Sequence, residues 1–271
     1  MTKDVHVPID LSMKGKVALV TGGTRGIGKA IAERLLEAGA EVAVCARSEP
    51  ETLPRSGGRD AVFLAGDVRK ADQCKAMVDQ VAAHFGRLDL LVNNAGGSPA
   101  ADAATASPRF SESIVALNLL APIHLSQAAH GVMVRQAEGG SIINIASVAA
   151  RRPAPGTAVY GAAKAGLLGL TVSLAQEWGP RVRVNAIVVG LVETENAEQT
   201  YGSAAALREI AAATPMGRMG RGADVADAVL YLASPLARFV SGASLDVHGG
   251  GEKPHFLDIV ARNAPKSRDG S

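Results

Sequence analysis

Apolar residues in this chain fall into short, β-branched runs that alternate with longer stretches of helical spacing. The runs at residues 16–20 (KVALV), 41–45 (EVAVC), 61–65 (AVFLA), 88–92 (LDLLV), 141–145 (SIINI), 182–188 (VRVNAIV) and 244–247 (SLDV) predict strands. Between most of them the period lengthens to that of a helix, at 29–38, 70–85, 110–136, 157–177 and 223–233. Such alternation predicts an α/β fold with one doubly wound, parallel sheet and helices on both faces. One crossover departs from it. Residues 48–60 hold Pro50, Pro54 and the pair Gly57-Gly58, which leaves little room for a regular helix between the second and third strands.

No second composition, linker or repeat interrupts the alternation. A single domain is therefore expected over residues 14–250, with an N-terminal extension at 1–13 and a C-terminal tail at 251–271. Of the 271 residues 47% are apolar, enough for a sizeable core. A net charge of +2 and only 3% aromatic residues give nucleic acid neither a basic patch nor a stacking surface, so nucleic-acid binding is not expected. No apolar run is expected to reach the roughly 18 to 20 residues of a membrane span. Acidic residues and Pro8 near the N-terminus do not suit a signal peptide, and a soluble, cytoplasmic protein is expected. Cys45 and Cys74 lie in apolar patterns without metal-ligand spacing, which predicts buried thiols and no metal site. In the tail, Phe256, Leu257, Ile259 and Val260 are too apolar for a free segment and are expected to dock on the body or on a neighbouring subunit, while 263–271 are expected to be disordered.

The first strand leads into TGGTRGIG, residues 21–28, and then into a helical pattern. Gly22 permits a tight turn, Gly26 lets the backbone approach a pyrophosphate, and Gly28 lets helix and strand pack closely, with the helix N-terminus facing the phosphates. The spacing Gly-x3-Gly-x-Gly differs from the Gly-x-Gly-x-x-Gly dinucleotide fingerprint. In a doubly wound sheet ligands sit beyond the carboxyl ends of the strands, and polar residues gather there: Asp67 after the third strand, Asn93-Asn94-Ala95-Gly96 after the fourth, Ser147 after the fifth. Tyr160 and Lys164 stand four residues apart in a predicted helix and share one face. A free tyrosine titrates near ~10, and a cation within about 4 to 6 Å favours the phenolate, which suits acid/base work nearer neutral pH.

Taken together, TGGTRGIG, NNAG, Ser147 and Tyr160-x3-Lys164, in this order and at these intervals, resemble the short-chain dehydrogenase/reductase family of nicotinamide-dependent oxidoreductases over roughly residues 14–250. The resemblance implies a Rossmann-like fold. It implies that Tyr160 is the general acid in carbonyl reduction and the base in alcohol oxidation, that Ser147 hydrogen-bonds the reacting oxygen, that Lys164 holds the nicotinamide ribose while lowering the Tyr160 pKa, and that Asn118 completes a tetrad. It also implies an adenine pocket at Asp67 and Val68, cofactor contact at Asn94, Ala95 and Gly96, and phosphate contact at Thr24, Arg25 and Ile27. Gly190, Val192 and Thr194 align with the nicotinamide amide contact, although Val189 stands where the family carries proline. Residues 195–219 correspond to a substrate lid, and a homo-oligomer, a tetramer, is expected. The Asn118 role has independent support from Pro122. Proline has no N–H to give the carbonyl four residues earlier, so a kink with a free Asn118 carbonyl is expected.

Cofactor choice follows from charge. An NAD-preferring site commonly ends the second strand with an acid on the ribose hydroxyls. Here that stretch reads Cys45-Ala46-Arg47, and Arg25 and Arg47 are placed to meet a 2′-phosphate. NADP(H) is favoured, with NAD(H) the second choice and Glu49 and Glu51 close by. The expected activity is hydride transfer between the nicotinamide and a ketone or secondary alcohol, such as a 3-oxoacyl or steroid-like substrate. The alternative, a non-catalytic cofactor-binding sensor or scaffold, has no need of acid, lysine and oxyanion partner together. The sequence does not single out the substrate.

Overall fold

Seven parallel strands form the central sheet in the computed structural model, which describes residues 10–263. They are β1 Val17–Thr21, β2 Glu41–Ala46, β3 Val62–Ala65, β4 Leu90–Asn93, β5 Gly140–Ser147, β6 Val182–Val189 and β7 Ser244–Val247. Their order across the sheet is β7-β6-β5-β4-β1-β2-β3, so the winding reverses at β1, which pairs with both β2 and β4. A crevice opens beyond the carboxyl ends at that reversal. Nearly all of β1 and β2 is buried on both faces, which is why these strands read as continuous apolar runs.

Helices cover both faces: α1 Gly26–Glu37, α2 Ala71–Phe85, α3 Pro108–Val115, α4 Ala121–Met133, α5 Ala158–Trp178, α6 Ala197–Tyr201, α7 Ala204–Ala213, α8 Gly222–Ala233 and α9 His255–Asn263. The two-residue side-chain period of β1 sends Ala18 and Val20 to one core, with Ile31 and Leu35 of α1 and Val225 and Val229 of α8. Val17 and Leu19 go to the other, with Met77 and Val81 of α2 and Leu125 and Met133 of α4. Cys45 and Cys74 lie in this second core as free thiols, and burial pushes them up to about 12 and about 11.

The structure refines four of the sequence expectations. The β2–β3 crossover carries a small antiparallel hairpin, Arg55–Ser56 against Arg59–Asp60, turned by Gly57 and Gly58 at φ +60 and +78. β4 begins at Leu90 rather than 88, because Asp89 works through its side chain: Oδ2 accepts the Val17 N–H at 2.9 Å while Arg87 holds both oxygens at 2.6 and 2.8 Å. The helix expected over 110–136 is broken by a π-turn at Ala116–Leu120, where the Ala121 N–H reaches back to Ala116 O. One residue is thereby inserted ahead of Pro122. The tail residues Phe256 and Val260 lie on α9 at 61% and 60% exposure, so they do not dock on the chain's own body. Most of 263–271 and of the 1–13 extension lies outside the described residues.

By length and composition α5 is apolar enough to cross a membrane, a correction to the expectation that no stretch is. Its Ala, Leu and Gly content outweighs Lys164 and Glu177. Lys164 nevertheless points into protein at 3% exposure, and α5 packs one side on β5 and β6.

Candidate active site

Thr21, at the end of β1, ties the glycine turn to the next strand. Its Oγ1 accepts the N–H groups of Asn94 and Ala95, both at 2.9 Å, and donates to Val92 O. Asn94 Nδ2 donates to Thr21 O at 2.8 Å and to Gly22 O at 3.3 Å, so this side chain braces the turn from beneath. A Cβ on Gly28 would stand 2.3 Å from Gly22 O, which excludes any side chain there. Gly26 differs. It sits at φ +53, and a Cβ there would meet nothing nearer than Thr194 Cγ2 at 3.8 Å, so the turn has an open side facing the start of the lid. Thr24 and Ile27 flank that opening, half-buried, and Arg25 beside them is exposed.

The second group converges from β4, β5, α5 and the π-turn. Lys164 Nζ donates to Ile145 O at 2.7 Å and lies 5.8 Å from the centre of the Tyr160 ring. Asn118 is fully buried. Its Oδ1 accepts the Gly97 N–H and its Nδ2 donates to Gly97 O and Ile114 O, each at 2.9 Å. Gly96 separates the two: a Cβ there would stand 2.8 Å from Asn118 Oδ1 and 3.1 Å from Lys164 Nζ. Ser147 Oγ accepts the Ala149 N–H at 3.2 Å, fixing the turn at Val148–Ala150 on which α5 leans through Gly161. Thus Asn118, Ser147, Tyr160 and Lys164 meet at one end of the sheet.

Electrostatics here run against the simple expectation from spacing. Burial pushes the Tyr160 hydroxyl above its ordinary value, the Ser147 side chain opposes the rise, and Tyr201 of the lid adds a smaller upward push. Burial also pulls Lys164 down to about 8. Proximity to lysine is real, but in the protein alone desolvation dominates both groups.

Beneath the site runs a buried polar chain. Asn93 Nδ2 donates to Ser126 Oγ at 3.1 Å and to Asn144 Oδ1 at 2.9 Å, and Asn144 Nδ2 donates to Thr171 Oγ1 at 2.9 Å. It locks β4 to β5 and β5 to α5, fixing the strand ends relative to Lys164.

Toward β2 and β3, Asp67 is held by Arg69, Nε to Oδ1 at 2.9 Å and Nη2 to Oδ2 at 2.5 Å. Those bonds keep its carboxyl low against partial burial, and Arg47 adds a smaller pull from nearby. Val68 is buried beside it. Among the described residues neither Arg25 nor Arg47 forms an ion pair, and both are exposed.

On the opposite side a cavity of about 170 Å³ is lined by Val148, Arg152, Gly190, Leu191, Thr214 and His248. Val192 is buried and Gly190 packs on His248. Arg151 binds both oxygens of Asp246 at 2.6 and 2.8 Å, and Arg152 Nη2 meets Glu252 at 2.5 Å. Tyr201, His248 and Glu252 are not singled out by sequence. They arrive from the lid and the end of β7, with no local motif to mark them.

The family model described as enoyl-(acyl carrier protein) reductase matches residues 22–252. A 3-oxoacyl-[acyl-carrier-protein] reductase of Vibrio cholerae is 38% identical over 248 residues, covering 89% of this chain and 98% of that protein. A 2-dehydro-3-deoxy-D-gluconate 5-dehydrogenase of Escherichia coli (strain K12) is 36% identical over 243 residues, covering 88% and 96%. Among solved structures, the ligand-free aldohexose dehydrogenase of Thermoplasma acidophilum superposes with a TM-score of 0.81 at 31% identity, covering 95% of this chain and 98% of that one. The chain belongs to the short-chain dehydrogenase/reductase family. It is a nicotinamide-dependent carbonyl or alcohol oxidoreductase.

Proposed function

We propose that this enzyme interconverts a ketone and a secondary alcohol through Tyr160, Ser147, Lys164 and Asn118, and that it prefers NADP(H) to NAD(H). The observation that carries the proposal is the convergence of Asn118 and Lys164 on Gly96, with Tyr160 beside Lys164 and Ser147 beside Tyr160. The glycine turn fits a dinucleotide, because Gly28 admits no side chain, Gly22 sits at φ +60 with a Cβ position only 3.2 Å from Ala95, and Gly26 presents its N–H at a helix N-terminus to an anion. When bound, the nicotinamide supplies or accepts the hydride.

The chain's own residues do the rest. In reduction, the Tyr160 hydroxyl donates its proton to the substrate oxygen as negative charge grows there, and Ser147 Oγ holds that oxygen by a second hydrogen bond. The ammonium of Lys164 stabilises the phenolate left behind, offsetting the burial that raises Tyr160. Asn118 fixes the Gly97 backbone next to Lys164, and Gly190, Val192 and Thr194 hold the nicotinamide side. In oxidation each step runs backward.

NADP(H) preference is supported by the exposed guanidiniums of Arg25, in the glycine turn, and Arg47, near Asp67, neither of which forms an ion pair among the described residues. The substrate is a carbonyl or alcohol of the range its relatives handle, from 3-oxoacyl groups to sugar acids. The chain acts as one domain with a lid at 195–219, and it assembles as a homotetramer. Support for assembly comes from α5, where 22% of the most apolar stretch is buried and Val172 is 56% exposed. Fluorescence titration with NADPH and NADH, followed by carbonyl reduction assays, tests the proposal. Binding of neither nucleotide sinks it.

A further inference from the structure

The seat that the glycine turn offers to phosphate is filled by the chain itself. Gly26 opens α1, and its N–H donates a 2.8 Å hydrogen bond to Oε1 of Glu195, 169 residues further on. The other carboxylate oxygen lies 3.9 Å from the place a Gly26 Cβ would occupy, on the open side of the turn. α1 has no cap of its own. Arg25 at its N-cap makes no side-chain bond, and its first turn holds no acidic residue. The capping anion is therefore imported from the lid. Glu195 is exposed and follows Thr194, whose carbonyl accepts the Ala197 N–H at the start of α6.

A carboxylate and a phosphate are satisfied by the same features, unpaired backbone N–H groups and the positive end of a helix dipole. Two anions in one such seat repel each other. We propose that Glu195 is an internal competitor for the dinucleotide pyrophosphate and so sets cofactor affinity. This rests on the reading of the turn as the dinucleotide seat. Cofactor binding displaces the Glu195 carboxylate, which frees the first residues of the lid at the moment the site is loaded. The apparent affinity is lower than the intrinsic one by the fraction of molecules whose seat is vacant of Glu195.

Dissociation constants for NADPH and NADH, measured by fluorescence in wild type, Glu195→Ala, Glu195→Gln and the lid control Glu198→Gln, test the proposal. Glu195→Ala is expected to tighten both dinucleotides about tenfold. Glu195→Gln tightens them less, because its amide oxygen still accepts the Gly26 N–H without the charge. Glu198→Gln leaves both constants unchanged. Without dinucleotide Glu195→Ala melts below wild type, and at saturation the two melt together. Unchanged or weaker binding in Glu195→Ala overturns the proposal, as does an equal gain in Glu198→Gln. A wild-type protein that binds neither dinucleotide overturns the reading of the seat, and the proposal with it.

Discussion

The Nζ of Lys164 stands 2.7 Å from the carbonyl oxygen of Ile145, a fully enclosed ammonium held by the main chain of the strand that ends at Ser147. This contact places the cation, and its enclosure has a thermodynamic sign. The folded value, about 8, lies below the ordinary lysine value of 10.5, so between them the unfolded chain binds the extra proton. The resulting destabilisation is complete below about pH 8 and fades as pH rises toward 10.5. Lys164→Met is therefore expected to stabilise the cofactor-free protein at pH 7 by up to about 3 kcal/mol, while abolishing turnover. Urea denaturation at pH 7 and pH 10 checks this. A variant no more stable than wild type at pH 7 refutes the argument.

Tyr160→Phe removes one hydroxyl from a half-buried position against Ser147. Turnover is expected to fall by about 10² to 10⁴, with NADPH affinity unchanged, since the ring and Lys164 stay in place. Steady-state kinetics and fluorescence titration separate the two. Near-normal kcat would show that another group moves the proton.

Arg47→Ala removes a guanidinium that makes no ion pair among the described residues. NADPH affinity is expected to drop about 10- to 100-fold, while NADH affinity changes little. Equal losses for the two nucleotides would mean that Arg47 does not read the 2′-phosphate.

Asn144→Leu cuts the polar chain between β4 and α5, leaving Asn93 and Thr171 buried with fewer partners. Asn93 keeps Ser126 and Thr171 keeps the Leu167 carbonyl, so the two lost bonds are expected to cost about 1 to 3 kcal/mol together. A lower urea midpoint at unchanged m-value is the expected result, and an unchanged midpoint would mean the chain of bonds contributes nothing net.

Light scattering is expected to give four times the 27.7 kDa chain mass, and Val172→Glu on α5 to give smaller species. A wild-type monomer at micromolar concentration would exclude the assembly.

The seven strands are legible because each is a β-branched run enclosed by helices, and the catalytic spacing survives because α5 is a regular helix. Pro122 announces a missing donor, yet it does not say how the ladder is repaired; the π-turn is a choice made by packing around Asn118. LDLLV reads as strand from its first residue, whereas Asp89 is drawn off by Arg87 and the Val17 N–H. Spacing brings Tyr160 beside Lys164 but carries no information on burial, so the direction of the Tyr160 shift is a tertiary property. Glu195, Tyr201 and His248 act across long sequence separations and leave no local trace.

The hairpin that replaces a helix between β2 and β3 leans on α1, with Arg59 donating to Leu36 O and Leu53 packed against the first core, while Arg47, Ser48 and Glu49 ahead of it stay exposed. The length and charge of residues 47–52 can change without disturbing either core, whereas Leu53 and Pro54 are tied to the body. An engineer, or natural divergence, could therefore exchange residues 47–52 as a cassette, changing the charge beside Asp67 while leaving Tyr160, Lys164 and the sheet as they are.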